Sequence, residues 1–124
     1  MDHGEGKKVW IFPDGDLPEA AHGNGIQAHE ALMVLNTTKH NAAVKFRVYF
    51  SDRDPTRDVV LKVEAQRVRC FRMDKPDEIG GIRIPFRTQY AVRIESDIPV
   101  IATFGRLDTT SEKIAYYTSA WHSQ

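Results

Sequence analysis

Residues 28–36 read Ala-His-Glu-Ala-Leu-Met-Val-Leu-Asn, and this stretch decides the fold class. It is an apolar run of strand length, with His29 and Glu30 at one end and Asn36 at the other. A short apolar run between polar residues is typical of a β-strand that is buried on both faces. We therefore expect a strand inside a β-sandwich or barrel, whose polar ends either stitch the fold together or contact a ligand.

Alternating apolar residues and regularly spaced turn signals extend this interpretation to the rest of the chain. In residues 43–51, Val44, Phe46 and Val48 alternate with other side chains in the pattern of a half-buried antiparallel strand. No segment shows sustained helical periodicity. We predict about eight strands, at 8–12, 28–36, 43–51, 59–63, 67–73, 89–95, 100–106 and 114–121. Their spacing predicts an all-β protein, a single-domain antiparallel β-sandwich over residues 1–124 with a flexible segment at 1–6.

The composition restricts the partners and the compartment. The 17 basic and 17 acidic residues cancel, so we do not expect nucleic acid as a partner. Cys70 is the single cysteine, which excludes an internal disulfide and suits a reducing compartment, and we expect it to pack as a small apolar residue. The sequence contains no signal peptide and no apolar run of about 20 residues, which predicts a cytoplasmic protein.

The common catalytic and metal-binding patterns do not occur in this sequence. The five histidines form neither a His-x-His pair nor a His-Glu-x-x-His signature, and His29 and Glu30 point to opposite faces of a regular strand. The motifs of serine or cysteine nucleophiles and of phosphate-binding loops are also missing. A general base at His29 or Glu30 has no partner that we can name. We expect a non-enzymatic protein with no catalytic residue, no metal and no cofactor.

Strand parity makes Arg106 a candidate site residue. On the strand predicted at 100–106, it shares a face with the apolar positions, so its guanidinium points inward near the strand end. An inward cation needs a counter-charge or a wet cavity. The favoured alternative is an ion pair with Asp108 or Glu30, and the other is an anchor for a carboxylate or polyol ligand.

Trp10 and Asn36 are two further candidates. Trp10 stands on a face that mixes charged and apolar residues, so it belongs either to the core or to the floor of a sugar site. Asn36 shares a face of its strand with Glu30 but lies six residues, about 20 Å, away from it. One small ligand therefore cannot touch both Glu30 and Asn36.

Several short motifs follow one another along the chain in a specific order. They are Trp10, His29-Glu30, Val34-Leu35-Asn36, Val48-Tyr49-Phe50-Ser51-Asp52, Ile98-Pro99-Val100-Ile101 and Arg106-Leu107-Asp108. Together they resemble the Anabaena sensory rhodopsin transducer family over residues 9–117. The resemblance implies a compact β-sandwich that assembles as a cyclic homotetramer. It further implies a soluble partner of a membrane photoreceptor or, as proposed for the broader family, a protein that binds sugars or related metabolites.

The resemblance also assigns individual residues. Trp10 and Asn36 correspond to pocket-facing positions of the family, and the other characteristic positions are His29, Glu30, Arg106 and Asp108. Our first hypothesis is a binding module for a sugar-like metabolite, with Trp10, Asn36 and Arg106 as ligand-binding residues. The other three positions would then lie at a rim or subunit contact. The alternative is a cytoplasmic transducer that docks a membrane photoreceptor or another protein. The loop at 14–25 and the Arg-rich strand at 67–72 depart from the family pattern.

Overall fold

The computed structural model describes residues 5–19, 28–108 and 115–119, and it consists almost entirely of antiparallel strands. The strands are β1 (Lys7–Asp16), β2 (His29–Asn36), β3 (Ala42–Phe50), β4 (Val59–Val63), β5 (Arg67–Arg72), β6 (Gln89–Asp108) and β7 (Ala115–Ser119). One turn of 3-10 helix, Pro76–Glu78, follows β5. Within the described ranges, no helix is long and apolar enough to cross a membrane. The prediction of an all-β antiparallel fold is confirmed.

The long strand β6 belongs to both halves of a curled sheet. Its first half pairs with β1 and β3, and its second half pairs with β2 and β7. The strand order of the first half-sheet is therefore β4-β3-β6-β1, and that of the second is β5-β2-β6-β7. Every other described strand reaches β6 directly or through one neighbour.

The middle of β6 corrects one prediction from the sequence. We expected two strands, 89–95 and 100–106, separated by a turn at Ser96-Asp97, but the chain continues as one strand of 20 residues. Between the pairs Val9–Glu95 and Lys7–Val100, β1 advances by two residues and β6 by five, so β6 carries three extra residues. Such a bulge bends a strand without reversing it. The bend lets β6 pass from one half-sheet to the other, which reduces eight predicted strands to seven.

A second bulge extends β1 beyond the strand predicted at 8–12, through the sequence Pro13-Asp14-Gly15-Asp16, which is typical of a turn. The register shifts by one residue between the pairs Phe12–Val92 and Gly15–Tyr90, and β1 continues to Asp16. A Cβ atom at Gly15 would lie 2.6 Å from the ring of Tyr90, so this position requires glycine unless the ring moves. Residues 20–25 of the predicted loop lie outside the described residues, as do residues 1–4 of the predicted flexible segment.

The two half-sheets enclose a single hydrophobic core. The predicted inward residues Val44, Phe46 and Val48 of β3 are buried, and they belong to the same cluster as the inward residues of the second half-sheet. Phe12 of β1 stacks on Phe104 of β6, with 5.8 Å between the ring centroids. This stacking joins the two halves, because Phe104 lies in the part of β6 that pairs with β2.

Strand β2 is buried on one face, not on both as its apolar run predicts. Its even-numbered side chains, from Glu30 to Asn36, are buried, whereas on the other face Ala31 is buried, Met33 is half-buried and Leu35 is exposed. Cys70 pairs with Met33 on the same outer side and is exposed, so it does not pack as an apolar residue. Leu35 and Cys70 are thus exposed on the same side of the sheet, on which Ala31 is buried.

Candidate functional site

The carboxylate of Glu30 lies at one end of β2 and is fully buried. The backbone N–H of Asp16 donates to both of its oxygens, at 3.0 and 3.2 Å. The hydroxyl of Tyr90 donates to Oε1 at 2.5 Å, and Nε of Arg106 donates to Oε2 at 2.7 Å. Donors from β1 and from both halves of β6 therefore converge on one side chain of β2.

The path of β6 explains how these donors meet. Tyr90 lies near its start, and Arg106 lies near its end, directly opposite Glu30 in the register of β2 and β6. Parity predicts Arg106 as inward-facing, and of its two alternative counter-ions the structure pairs it with Glu30. The side chain of Asp108, the other alternative, lies outside the description, and its backbone pairs with Ala115 of β7.

Burial sets the protonation of this cluster. It raises the pKa of Glu30 above its usual value, and hydrogen bonds from Tyr90 and Arg106 offset part of that rise. Burial, and then the neighbouring carboxylate, raise the pKa of Tyr90 well above its usual range, so the phenol stays a hydrogen-bond donor. The side chain of Arg106 is 30% exposed, and its Nη2 also donates to the carbonyl oxygen of Asp14 at 3.3 Å. The cluster holds strands together with a carboxylate that solvent does not reach.

Asn36 lies at the opposite end of β2, and its amide is occupied by the chain itself. Nδ2 donates to the carbonyl oxygens of His40, Val63 and Glu64 at 2.7, 3.0 and 3.3 Å. Oδ1 accepts hydrogen bonds from the backbone N–H and the hydroxyl of Thr38, at 3.0 and 2.8 Å. Through Val63, the last residue of β4, this amide joins the two half-sheets on the side away from Glu30.

Trp10 packs in the core of the first half-sheet. Its Nε1 donates to the carbonyl oxygens of Lys7 and Val100, at 3.1 and 3.0 Å, and its ring stacks on Phe12 with centroids 6.3 Å apart. Because Leu35 pairs with the residue after Val100, Trp10 and Asn36 both approach the bulge of β6. The structure thus brings Trp10 and Asn36 to one region and Glu30 and Arg106 to another.

The remaining candidates lie elsewhere. His29 is half-buried, pairs with Leu107 and faces the side of β2 opposite Glu30, as the alternation predicts. Four surface grooves are described, and Trp10, Asn36 and Arg106 line none of these four. Across the described ranges, no three His, Cys, Asp or Glu side chains cluster closely enough to hold a metal ion. The ligand-binding roles of the three residues stay predictions.

Sequence reasoning missed two partners of Glu30, namely Tyr90 and the N–H of Asp16. The alternation of residues 89–95 identifies Tyr90 as inward-facing, and a buried phenol needs a hydrogen-bond partner. That requirement is the signal that could have linked Tyr90 to a buried acceptor. The N–H of Asp16 carries no such signal, because its direction depends on the bulge in β1.

The outer surfaces of the two half-sheets differ in chemistry. The outward residues of the first half-sheet include the charged side chains Lys45, Arg47, Lys62, Arg93 and Glu95. On the second, Val68, Leu35 and Ile101 pair side by side across β5, β2 and β6, and all three are exposed. Met33 lies in the next row of β2. We call the surface formed by Leu35, Val68, Ile101 and Met33 the apolar face.

These features define a small all-β module built on one curled antiparallel sheet. The family model described as Anabaena sensory rhodopsin transducer matches residues 5–122, and the chain belongs to this family. The resemblance seen in the sequence is therefore confirmed, and the protein is a sensory-transducer-like module.

Two solved structures share the fold. The crystal structure of Thermotoga maritima 1070 superposes with a TM-score of 0.85 and 26% sequence identity, over 98% of this chain and 97% of that chain. The Anabaena sensory rhodopsin transducer superposes with a TM-score of 0.68 and 29% identity, over 82% of this chain and 95% of that chain.

One curated enzyme shares a shorter segment. The anthranilate phosphoribosyltransferase of Acidothermus cellulolyticus is 35% identical over 75 residues, which cover 57% of this chain. The match spans only 21% of the length of that enzyme.

Changing Asn36 to Asp tests the amide at the end of β2. An aspartate cannot donate to the carbonyl oxygens that Nδ2 now binds, and it places a buried charge beside them. We expect the free energy of unfolding in urea to fall by about 3 kcal/mol or more. Asn41→Asp is the matched control, because the Asn41 amide accepts a hydrogen bond from the N–H of Ala65 and a carboxylate can do the same. A comparable loss in both variants would contradict the role given to Asn36.

The pH dependence of stability tests Glu30. Because its folded-state pKa is raised, its contribution to stability is complete below its usual value of 4.5 and is lost as the pH rises through the folded-state pKa. We expect the unfolding free energy of the wild type, relative to Glu30→Gln, to fall by up to about 1.4 kcal/mol per pH unit in that window. The measurement is urea unfolding of both proteins from pH 4 to pH 8. A difference that grows with pH would mean that the pKa is lowered instead.

Proposed function

We propose that this chain is a non-enzymatic, cytoplasmic signalling module that acts by docking proteins, and that its working form is a homotetramer. The observation that carries the proposal is the apolar face. An antiparallel sheet with one solvated side normally carries polar residues there, as the first half-sheet does apart from Val60 and the outward apolar residues of β1. The outward residues of β2 and β5 instead include one arginine, Arg72, and its guanidinium is bound to Asp74 at 2.6 Å.

A second copy of the chain is the simplest partner for the apolar face. Two apolar faces that pack against each other in an isologous contact, in which each copy contributes the same residues, form a dimer, and a homotetramer requires a second contact between such dimers. The net charge of the whole protein is zero, so two copies approach without long-range repulsion. Burial of Leu35, Ile101 and Val68 against their counterparts supplies the hydrophobic gain.

Family membership supports a receptor or another protein as a further partner. The Anabaena protein, which superposes over 82% of this chain, is described as a sensory rhodopsin transducer. A transducer needs a surface for its receptor and a way to pass the signal on. A self-contact through the apolar face leaves the charged outer surface of the first half-sheet available for the receptor.

Val68→Lys tests the proposed assembly. We expect a lysine in the apolar face to shift the mass measured by light scattering towards the monomer mass of 14.1 kDa, because a buried ammonium group would lack a partner. Val60→Lys is the matched control, since Val60 is 65% exposed on edge strand β4 and Val68 is 64% exposed on edge strand β5.

Two results would contradict this assembly. One is a wild-type protein that runs as a monomer at every concentration tested. The other is equal dissociation of the Val60→Lys and Val68→Lys variants, because the contact would then not be specific to the apolar face.

The second candidate function is binding of a sugar-like metabolite, and an aromatic groove favours it. Pro13, Tyr49, Phe50 and Tyr90 line an open groove of about 250 Å³, with Ser51, Gln89 and Ala91 beside them. Aromatic rings offer apolar faces to the C–H groups of a sugar ring, and a few polar groups fix its orientation. We also retain the alternative site at Trp10, Asn36 and Arg106, of which Arg106 has the most exposed side chain.

A thermal-shift screen of monosaccharides and related metabolites separates these two sites. We expect Tyr49→Ala to abolish any stabilisation by ligand if the aromatic groove is the site, and Trp10→Phe to leave it in place. The opposite pattern would assign the ligand to Trp10. If no compound raises the melting temperature of the wild type, the metabolite hypothesis is rejected for that panel.

A further inference from the structure

The edge strands β4 and β5 come together at the open side of the sandwich. A groove of about 230 Å³ lies between them, and its lining consists of Lys62, Glu64, Arg67, Val68 and Arg69. Arg69 spans it, because its Nη1 donates to the carbonyl oxygen of Lys62 at 2.8 Å and its guanidinium lies over the ring of Phe71.

The groove carries an excess of positive charge. Three cationic side chains line it with one carboxylate, and that carboxylate, Glu64, lies 4.0 Å from the ammonium group of Lys62. Neither Arg67 nor Arg69 forms an ion pair within the described ranges. Most other arginines do, with carboxylates 2.6 to 3.2 Å away: Arg47, Arg53, Arg72, Arg87, Arg93 and Arg106. The unbalanced charge is therefore local, in a protein whose net charge is zero.

The backbone of β5 is open on the same side. In the described part of the chain β5 pairs with β2 alone, so alternate residues turn their N–H and C=O groups away from the sheet. The N–H of Arg72 is one of these, and it donates to Glu78 at 3.0 Å. By the same alternation, Val68 and Cys70 present their backbone groups to an additional strand.

We propose that the free edge of β5 binds an extended acidic segment of another protein as an added strand. Val68 and Cys70 supply the main-chain hydrogen bonds. Arg67 and Arg69 share one face of β5 and are two residues apart, so they receive two carboxylates with the same spacing. The side chains of Arg67 and Arg69 point to the opposite side of β5 from that of Val68, so the proposal uses the backbone of Val68 and not the side chain that contributes to the apolar face.

Charge distinguishes this partner from a second copy. If β5 paired with β5 of another copy, the arginines of both strands would line the same groove and repel each other. An acidic strand turns this repulsion into attraction. The chemistry that fits the edge is thus an alternating sequence of carboxylates and β-branched residues.

A peptide-binding experiment on the full chain tests the proposal. The probe is the fluorescein-labelled peptide Thr-Glu-Val-Glu-Val-Thr, followed by fluorescence anisotropy at low ionic strength. The control peptide, Thr-Glu-Pro-Glu-Pro-Thr, has the same charge but lacks two N–H groups needed for strand pairing. We expect the proline peptide to bind at least about tenfold more weakly than the valine peptide. We also expect the valine peptide to slow amide exchange at Val68 and Cys70.

Charge reversal supplies the second arm. We expect Arg67→Glu with Arg69→Glu to abolish binding of the valine peptide. The control, Arg57→Glu with Arg83→Glu, makes the same change in net charge at two exposed arginines outside the groove and should bind as the wild type does.

Three outcomes would overturn the proposal, and none of them needs a variant of the protein. Equal binding of the valine and proline peptides would show plain charge attraction without an added strand. Tighter binding of a single-stranded oligonucleotide of the same charge would show a general anion surface. Absence of peptide binding at millimolar concentration would show that the arginines only guard the edge against pairing.

Discussion

The fold depends on satisfying one buried carboxylate, that of Glu30. A carboxylate withdrawn from water costs on the order of several kcal/mol unless hydrogen bonds fill its lone pairs. Here the phenol of Tyr90, the guanidinium of Arg106 and the N–H of Asp16 fill them. These donors come together only if β6 bends and β1 bulges as they do, so the geometry of the whole sandwich is tied to this single group.

The inner and outer faces of β2 make different kinds of contact. On the inner face, Glu30 ties the strand to β1 and β6, and Asn36 ties it to the end of β4, so both polar ends stitch the half-sheets together. On the outer face, Leu35 and Met33 contribute to a surface that the described chain leaves uncovered. The polar ends of the strand therefore serve the fold, and the proposed contact with other proteins belongs to the apolar side.

Much of this architecture follows from parity and turn signals. The alternation in β3 and the inward direction of Arg106 were predictable, because strand faces repeat every two residues, whereas parity left its counter-ion open between Asp108 and Glu30. The bulge of β6 was not predictable from the sequence. The dipeptide Ser96-Asp97 suits a bend within one strand as well as a turn between two strands. The apolar run of β2 indicates that both faces need cover, but periodicity alone does not distinguish a core from a contact between molecules. The hydrogen bonds donated by Asn36 could not be predicted, because they go to backbone carbonyl oxygens, which the sequence does not distinguish from one another.

Arg67 and Arg69 of β5 have a second physical effect, which concerns how copies of the chain associate next to the apolar face. An assembly through a sheet face stays closed only if the free sheet edges do not also pair, because edge pairing can continue from copy to copy. Arg67 and Arg69 oppose pairing of β5 with itself by like-charge repulsion, while the apolar face carries no such barrier. In the proposed assembly, charge on the edge and its absence on the face direct self-association to the face. If both proposals hold, β5 is left to an acidic partner, and a small protein of zero net charge uses two adjacent surfaces for different partners.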